Sequence, residues 1–449
     1  MGSYQRSTTV AIVGGGPGGL ATAIALSELS DVSVTLYEQN PEPREVGAGL
    51  SIGDNGWKVL ELLGAADGIR GCTKSNATHR LATSHEQVGF MIVEDCNASL
   101  GSRNGYTGEV FLPAPQPDPT VSTSKRARTR VRRARLQSAL LARIPPGIIQ
   151  YNKKLVSLRD LDKKGAHLTF QDGTQALVDL VVGADGFRSI VRRTLFPDHQ
   201  LHFIGARTWR TLVPISSAVP IGDLMGAWHG TTTQAFFSGV DDESDEDLFE
   251  ISLRASDKLS RPDPAVSWGV PVTNDKVTSN FTEFDPRVRA AIALVPEGQW
   301  REFALFAGPC LEDITAWDKV ALIGDASHPL SGGFGTGSAF AMEDAWILAR
   351  ALEHTRNSSD RVKDALKIFD EIRSPYYKRI YHWRESQPSM SAAKRARVES
   401  ENRPLEDILR DRLRHFFPDM AGHLDWIHKN DIGQVWKAYV ESSKGIDLG

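Results

Sequence analysis

Gly14, Gly16 and Gly19 stand at GxGxxG spacing, directly after the β-branched run Thr8–Val13 (TTVAIV) and directly before LATAIALSEL. Each glycine has a mechanical reason to be there. The first permits a tight turn, the second lets backbone approach a diphosphate, and the third lets a helix pack closely with its N-terminus facing the phosphate charge. Residues 32–38 (VSVTLYE) read as the next strand, and Glu38, 19 residues after Gly19, puts a carboxylate where ribose hydroxyls can donate to it. This unit reads as a dinucleotide site and leaves NAD and FAD both open; a tight turn beside a solvated glutamate is the plainer alternative. Two later segments place acids at strand ends: Gly183-Ala184-Asp185-Gly186, and Leu322-Ile323-Gly324-Asp325-Ala326-Ser327-His328-Pro329. Arg210, in the stretch RTWRTLVP, carries a permanent positive charge that favours an anion beside it, and His328 carries an imidazole suited to proton transfer near neutral pH. An arginine paired with an acid and a histidine that caps or packs are the competing readings.

The elements that must position these groups follow from pattern. TTVAIV has no alternation, as expected of a strand buried on both faces of a parallel sheet, and with the following helix and strand it completes a βαβ unit. Residues 101–124 shift to Gly, Ser, Thr and Pro and read as a long, mobile surface loop. Residues 133–141 read as an amphipathic helix, 155–182 as strands around the turn Asp172-Gly173, and 195–306 as a separate, largely β block with an acidic turn at 241–247. Residues 319–323 form another short buried strand, followed by a glycine-rich turn and the long helix SAFAMEDAWILARALEHT. Beyond Asp360 the pattern is helical.

The composition of the 449 residues, 41% hydrophobic and 24% charged, excludes collagen, coiled coil, disordered tail and disulfide scaffold. A net charge of -4 supplies no global field for nucleic acid or an anionic membrane. Cys72, Cys96 and Cys310 are odd in number, far apart and without metal-ligand spacing, which fits reduced thiols in the cytoplasm. The chain shows no signal peptide and no apolar run of membrane-spanning length. Residues 125–135 are dense in Lys and Arg, but no aromatics interleave for base stacking, so a solvated loop-to-helix junction is preferred over a nucleic-acid patch.

Taken together in order, spacing and strand context, the glycine loop, GADG and GDASHP resemble the signatures of class A flavoprotein aromatic monooxygenases, the group containing p-hydroxybenzoate and salicylate hydroxylases. The resemblance covers about residues 8–380. It implies an α/β fold: a Rossmann-like FAD-binding domain of the p-hydroxybenzoate hydroxylase type, an inserted, mainly β substrate domain and a helical C-terminal region. The corresponding division is 1–80, 125–194 and 315–375 for FAD, 81–124 and 195–314 for substrate, and 376–449 for the C-terminal region. It further implies FAD held by Gly14, Gly16, Gly19, Glu38, Ala48 and Gly49, with Arg133 at the pyrophosphate. Asp185 would serve FAD and NAD(P)H, Asp325 the ribityl chain, and Gly337 with Ser338 would start a helix aimed at the flavin pyrimidine. Arg210 and His328 take the catalytic roles of phenolate stabiliser and proton acceptor.

The implied activity is NAD(P)H- and O2-dependent hydroxylation of a small aromatic, phenolic substrate through a flavin C4a-hydroperoxide, by a monomer or homodimer. Epoxidation of an indole or alkene is the alternative within the family, and an NAD-linked dehydrogenase the alternative outside it. This chain departs from the family pattern at Gly332, where proline is usual, and at Thr336, where glutamine is common. Phe236 and Phe237 stand where relatives carry Tyr or His, which points to a pocket more apolar than one built for salicylate.

Overall fold

The computed structural model describes residues 7–43, 49–69, 102–112, 129–240, 248–256, 268–330, 335–386, 407 and 425–444. Two large sheets face one cavity. The first has six strands in the order Thr315–Ala316, Val320–Leu322, Leu180–Gly183, Thr8–Val13, Val32–Tyr37, Ile149–Gln150. All neighbours are parallel except the first pair. Its central strands are continuous apolar runs because helices cover both faces: Val10, Ala11 and Ile12 are buried together, as are Leu180, Val181 and Val182. Helix α1 (Pro17–Ser27) opens with proline in its first turn, where the missing N–H costs no hydrogen bond, and it packs with α2 (Asp54–Leu62), α3 (Arg133–Leu141) and later helices around one core.

The second sheet has eight strands in the order Trp268–Val272, Trp300–Ala307, His202–Pro214, Leu248–Ser256, Thr233–Val240, Gly226–His229, Ser102–Asn104, Val110–Leu112. Its strands alternate. Trp209, Phe237, Phe249, Ile251 and Leu253 point into a separate core, while Thr208, Arg210, Phe236, Ser252 and Arg254 point to the cavity. The last two strands correct the expectation that 101–124 is loop throughout. Ser102–Asn104 has little strand propensity of its own and is held by parallel pairing to Gly226–His229. Residues 101 and 113–124 lie outside the described set, as do Cys72, Cys96, the acidic turn 241–247, residues 125–128 of the basic run and Gly332.

A small ladder, Gly49–Ile52 against Thr129–Arg132, lies where the two sheets meet. After the short helix α4 (Ile190–Leu195), the long α5 (Gly337–His354) packs on α1 and on α6 (Arg361–Ser386). Helix α6 runs unbroken through Pro375, across the division expected at that residue. The C-terminal α7 (Ile432–Lys444) follows. The segment preceding it is tied down by Asn430, which donates to Glu343 at 3.0 Å, and by Asp431, paired with Lys58 at 3.4 Å. Among the described residues no helix is long and apolar enough to cross a membrane, and no cluster of His, Cys, Asp and Glu is arranged to hold a metal ion.

Candidate active site

One cavity of about 520 Å³ lies between the sheets, and most of the expected residues converge on it: Gly16, Gly49, Arg133, Arg210, Asp325, His328, Gly337 and Ser338 all line it. The glycine turn shows why its residues lack side chains. Gly14 sits at φ +108°, and a Cβ there would overlap the Ala184 carbonyl; a Cβ on Gly19 would overlap the Gly14 carbonyl. Gly16 and Gly337, in contrast, face open space, with nothing within 4 Å of where a Cβ would stand. Each lies at the start of a helix, α1 or α5, and neither helix has a capping side-chain hydrogen bond. Their first N–H groups therefore remain directed at whatever fills the cavity, with the positive ends of both helix dipoles behind them. Two such positive ends suit the phosphates and electron-rich edges of a nucleotide.

Glu38 ends its strand beside the glycine turn: one carboxylate oxygen accepts from Gly15 N at 2.6 Å, and the other from Asn40 N at 2.8 Å. Ala48 lies outside the described residues. Asp325 is exposed at the cavity, yet enough protein surrounds its carboxyl to raise it above the ordinary range, opposed by the charges of His328, Arg133 and Arg192. Arg192 clamps this turn from beneath, donating to the Asp325 carbonyl at 3.0 Å and to the Ala326 carbonyl at 2.8 Å. Burial lowers the Arg133 pKa, Asp325 opposes the fall, and the nearby charge of Arg210 adds to it.

Asp185 stands apart. Its neighbours Ala184 and Gly186 line the cavity, whereas its own carboxylate accepts from Ile190 N at 2.7 Å and Val191 N at 3.2 Å. It is thus spent on the start of α4, and burial raises its carboxyl pKa against these hydrogen bonds and that of Ser189.

On the opposite wall, Arg210 is 28% exposed and pairs with Glu250, whose side chain is fully buried. Arg210 is therefore acid-paired, as the plainer reading expected, and it also lines the cavity. The same Glu250 also pairs with Arg130. Phe236 lines the cavity, but Phe237 lies on the other face of the sheet, stacked on Phe249 with centroids 5.8 Å apart. The expectation that both phenylalanines make the pocket apolar is corrected by alternation, and Arg130, Arg210 and Arg254 make this wall cationic.

His328 touches the cavity but is only 2% exposed. Its Nε2 lies 3.0 Å from Asp344 Oδ2, and its ring stacks on Tyr377 at 3.8 Å between centroids. Asp344 also accepts from Gly324 N at 2.9 Å, from Arg373 Nε at 2.7 Å and from Tyr377 Oη at 2.6 Å. Burial alone would raise the Asp344 pKa, but Arg373, His328 and the Gly324 N–H overcome it and hold the carboxyl at about 2. Glu343 next to it is raised by burial, against the charge of Arg373. One His328 nitrogen is therefore committed to Asp344.

The residues missed from sequence are Arg130, Glu250, Asp344 and Arg373. A signal existed for one group: Glu343 and Asp344 interrupt an otherwise apolar helix, and fully buried acids require partners.

A mainly parallel sheet ending in a glycine turn, two helix starts without side-chain caps and a mainly antiparallel sheet closing the same cavity form a site suited to a dinucleotide. The model of the family described as FAD binding domain matches residues 7–383, and the chain belongs to that family as a class A FAD-dependent aromatic monooxygenase. It is 30% identical to the FAD-dependent monooxygenase sor5 of Hypocrea jecorina over 81% of this chain and 80% of that protein. It is 27% identical to the 6-hydroxynicotinate 3-monooxygenase of Bordetella bronchiseptica over 84% of this chain and 90% of that protein. The solved substrate complex of a salicylate hydroxylase has the same fold, with a TM-score of 0.68 at 22% identity over 96% of this chain and 97% of that one. FAD is accordingly the cofactor.

Proposed function

We propose that this monooxygenase hydroxylates a phenolic ring bound against Phe236, with Arg210 holding the ring oxygen as its anion. The observation that carries this reading is the position of the Arg210 guanidinium: it lines the same cavity as the α1 and α5 N-termini, on the opposite wall. When bound, FAD supplies hydride acceptance and oxygen activation. The chain's own residues do the rest. Gly14, Gly16 and Gly19 with the α1 N-terminus hold the diphosphate, and Arg133 adds a charge there. Glu38 accepts from ribose and Asp325 from the ribityl hydroxyls, while Gly49, Gly337 and Ser338 bring backbone to the flavin ring. Asp185 acts by fixing α4 beside the cavity.

An ionised phenol is a better nucleophile than its neutral form, and a fixed guanidinium favours that ion. His328 exchanges the phenol proton, its ring oriented by Asp344. NADH or NADPH donates the hydride as a transient co-substrate. The sheet formed from residues 102–112 and 202–307 serves as the substrate-binding part and the parallel sheet as the FAD part. The enzyme works as a monomer or homodimer in the cytoplasm, where Cys310 remains a free thiol.

The test is to purify the protein, record its flavin spectrum and screen phenols, hydroxylated heterocycles and indoles for stimulated NAD(P)H oxidation. A product heavier by one oxygen from a phenol supports the reading. Oxygen insertion confined to neutral indoles or alkenes supports epoxidation instead.

A further inference from the structure

The cavity side of strand Leu248–Ser256 (LFEISLRAS) carries one carboxylate, Glu250, among Ser252 and Arg254. A fully buried carboxylate with no cation nearby would give up its charge. Glu250 has two cations, drawn from different parts of the fold. Arg210 reaches it from the adjacent strand, through Nε at 2.8 Å and through Nη2. Arg130 reaches it from the small ladder at the junction of the sheets. Each arginine is fixed a second time: Arg130 Nη1 donates to Ser51 Oγ at 3.0 Å, and Arg210 Nη2 to the Gly49 carbonyl. Gly49 itself leaves no room for anything to intervene, because a Cβ there would lie 2.6 Å from Glu250 Oε2. The Arg130 guanidinium lies over Phe236, 5.3 Å from the ring centroid, and its buried Nε has no hydrogen-bond partner.

Two guanidiniums and one carboxylate leave one positive charge in excess, delocalised over two groups that both line the cavity. We propose that Glu250 is a positioning residue that gathers Arg130 and Arg210 into a single clamp and sets its net charge at +1, so that the pocket selects an aromatic ring bearing one anionic oxygen group. The inference rests on reading the cavity as an aromatic-substrate site. Arg133, Arg254, Asp325 and His328 are the other charged or titratable groups lining the cavity, and the substitutions below leave them in place. Without Glu250 the clamp carries two unbalanced charges; without Arg130 it carries none.

The experiment compares benzoate with benzamide, its neutral isostere, as ligands of the FAD-loaded enzyme, following the perturbation of flavin absorbance at constant pH and ionic strength. The ratio of the two affinities is decisive, since damage to the fold or a displaced flavin weakens both ligands together. Wild type favours benzoate. Glu250→Gln, which keeps the shape and removes the charge, raises that preference about tenfold, and Arg130→Met lowers it about tenfold, a modest factor because the cavity opens to solvent. A Glu250→Gln ratio equal to or below that of wild type overturns the proposal, as does an unchanged ratio in Arg130→Met. If Glu250→Gln does not fold, the Arg130→Met ratio decides alone. Failure of the wild-type holoenzyme to bind either ring overturns the aromatic reading of the cavity, and the clamp with it.

Discussion

Replacing Asp344 with asparagine tests whether the network beneath α5 is an integral part of the flavin site. The carboxylate is fully buried, accepts four hydrogen bonds and shares Arg373 with Glu343. Asparagine keeps the shape but leaves Arg373 with one acid and offers an amide N–H where an acceptor is needed. Breaking one side of a buried ion pair costs about 3 to 5 kcal/mol, and the remaining Glu343 contact places this case near the lower end, about 3 kcal/mol. At about 2.1 cal/mol/K per residue over 449 residues, that lowers Tm by about 3 °C. The pH dependence has a definite sign. The folded pKa is depressed from 3.8 to about 2, so the stabilisation is complete above pH 3.8 and is lost as the pH falls toward 2. The gap, at about 1.4 kcal/mol per pH unit, is worth about 2 kcal/mol.

The assay is thermal melting of the holoenzyme at pH 7 for Asp344→Asn, Arg373→Met and the double variant, with the wild-type advantage over Asp344→Asn followed below pH 4, where it should shrink. Because each single substitution removes the same Arg373–Asp344 contact, the double variant should cost less than the two singles added together, by about 2 kcal/mol. Strict additivity, or a fall in Tm under 1 °C for Asp344→Asn, would refute the reasoning.

Two other predictions bear on the walls of the cavity. Gly14→Ala forces a Cβ onto the Ala184 carbonyl at a backbone angle of φ +108°, so the purified variant should lose its yellow colour; a wild-type ratio of flavin absorbance to protein absorbance would count against the turn as the FAD cradle. Phe237→Ala should destabilise the protein by about 3 to 5 kcal/mol by leaving a cavity in the sheet core, whereas Phe236→Ala should leave melting nearly unchanged and raise the KM of the aromatic substrate. Melting curves and NAD(P)H oxidation rates separate the two, and equal stability loss in both variants would contradict the sidedness of the strand.

What could be read from the sequence was whatever depends on local geometry. The turn Gly14–Gly19 and its flanking strand and helix are contiguous, so their spacing already describes their shape, and the helix after Gly337 announces itself by composition. Arg210 could be singled out, but not its partners. Glu250 meets it only because two antiparallel strands pair Arg210 with Ser252, and Arg130 joins them only because Gly49 pairs with Arg132 in a ladder from another part of the chain. Register between distant strands is set by the whole core, and no short motif encodes it.

The same limit explains Phe237, where knowing that a strand exists does not tell which face is buried. At Asp185 the motif is legible, yet its carboxylate is taken up by the N–H groups of Ile190 and Val191, so a residue found through a cofactor signature fixes the start of a helix. The cavity's electrostatics therefore arise from long-range pairings. Residues legible in isolation describe the glycine-turn wall of the cavity, and the opposite wall, with Arg130, Arg210 and Glu250, is a property of the assembled sheet.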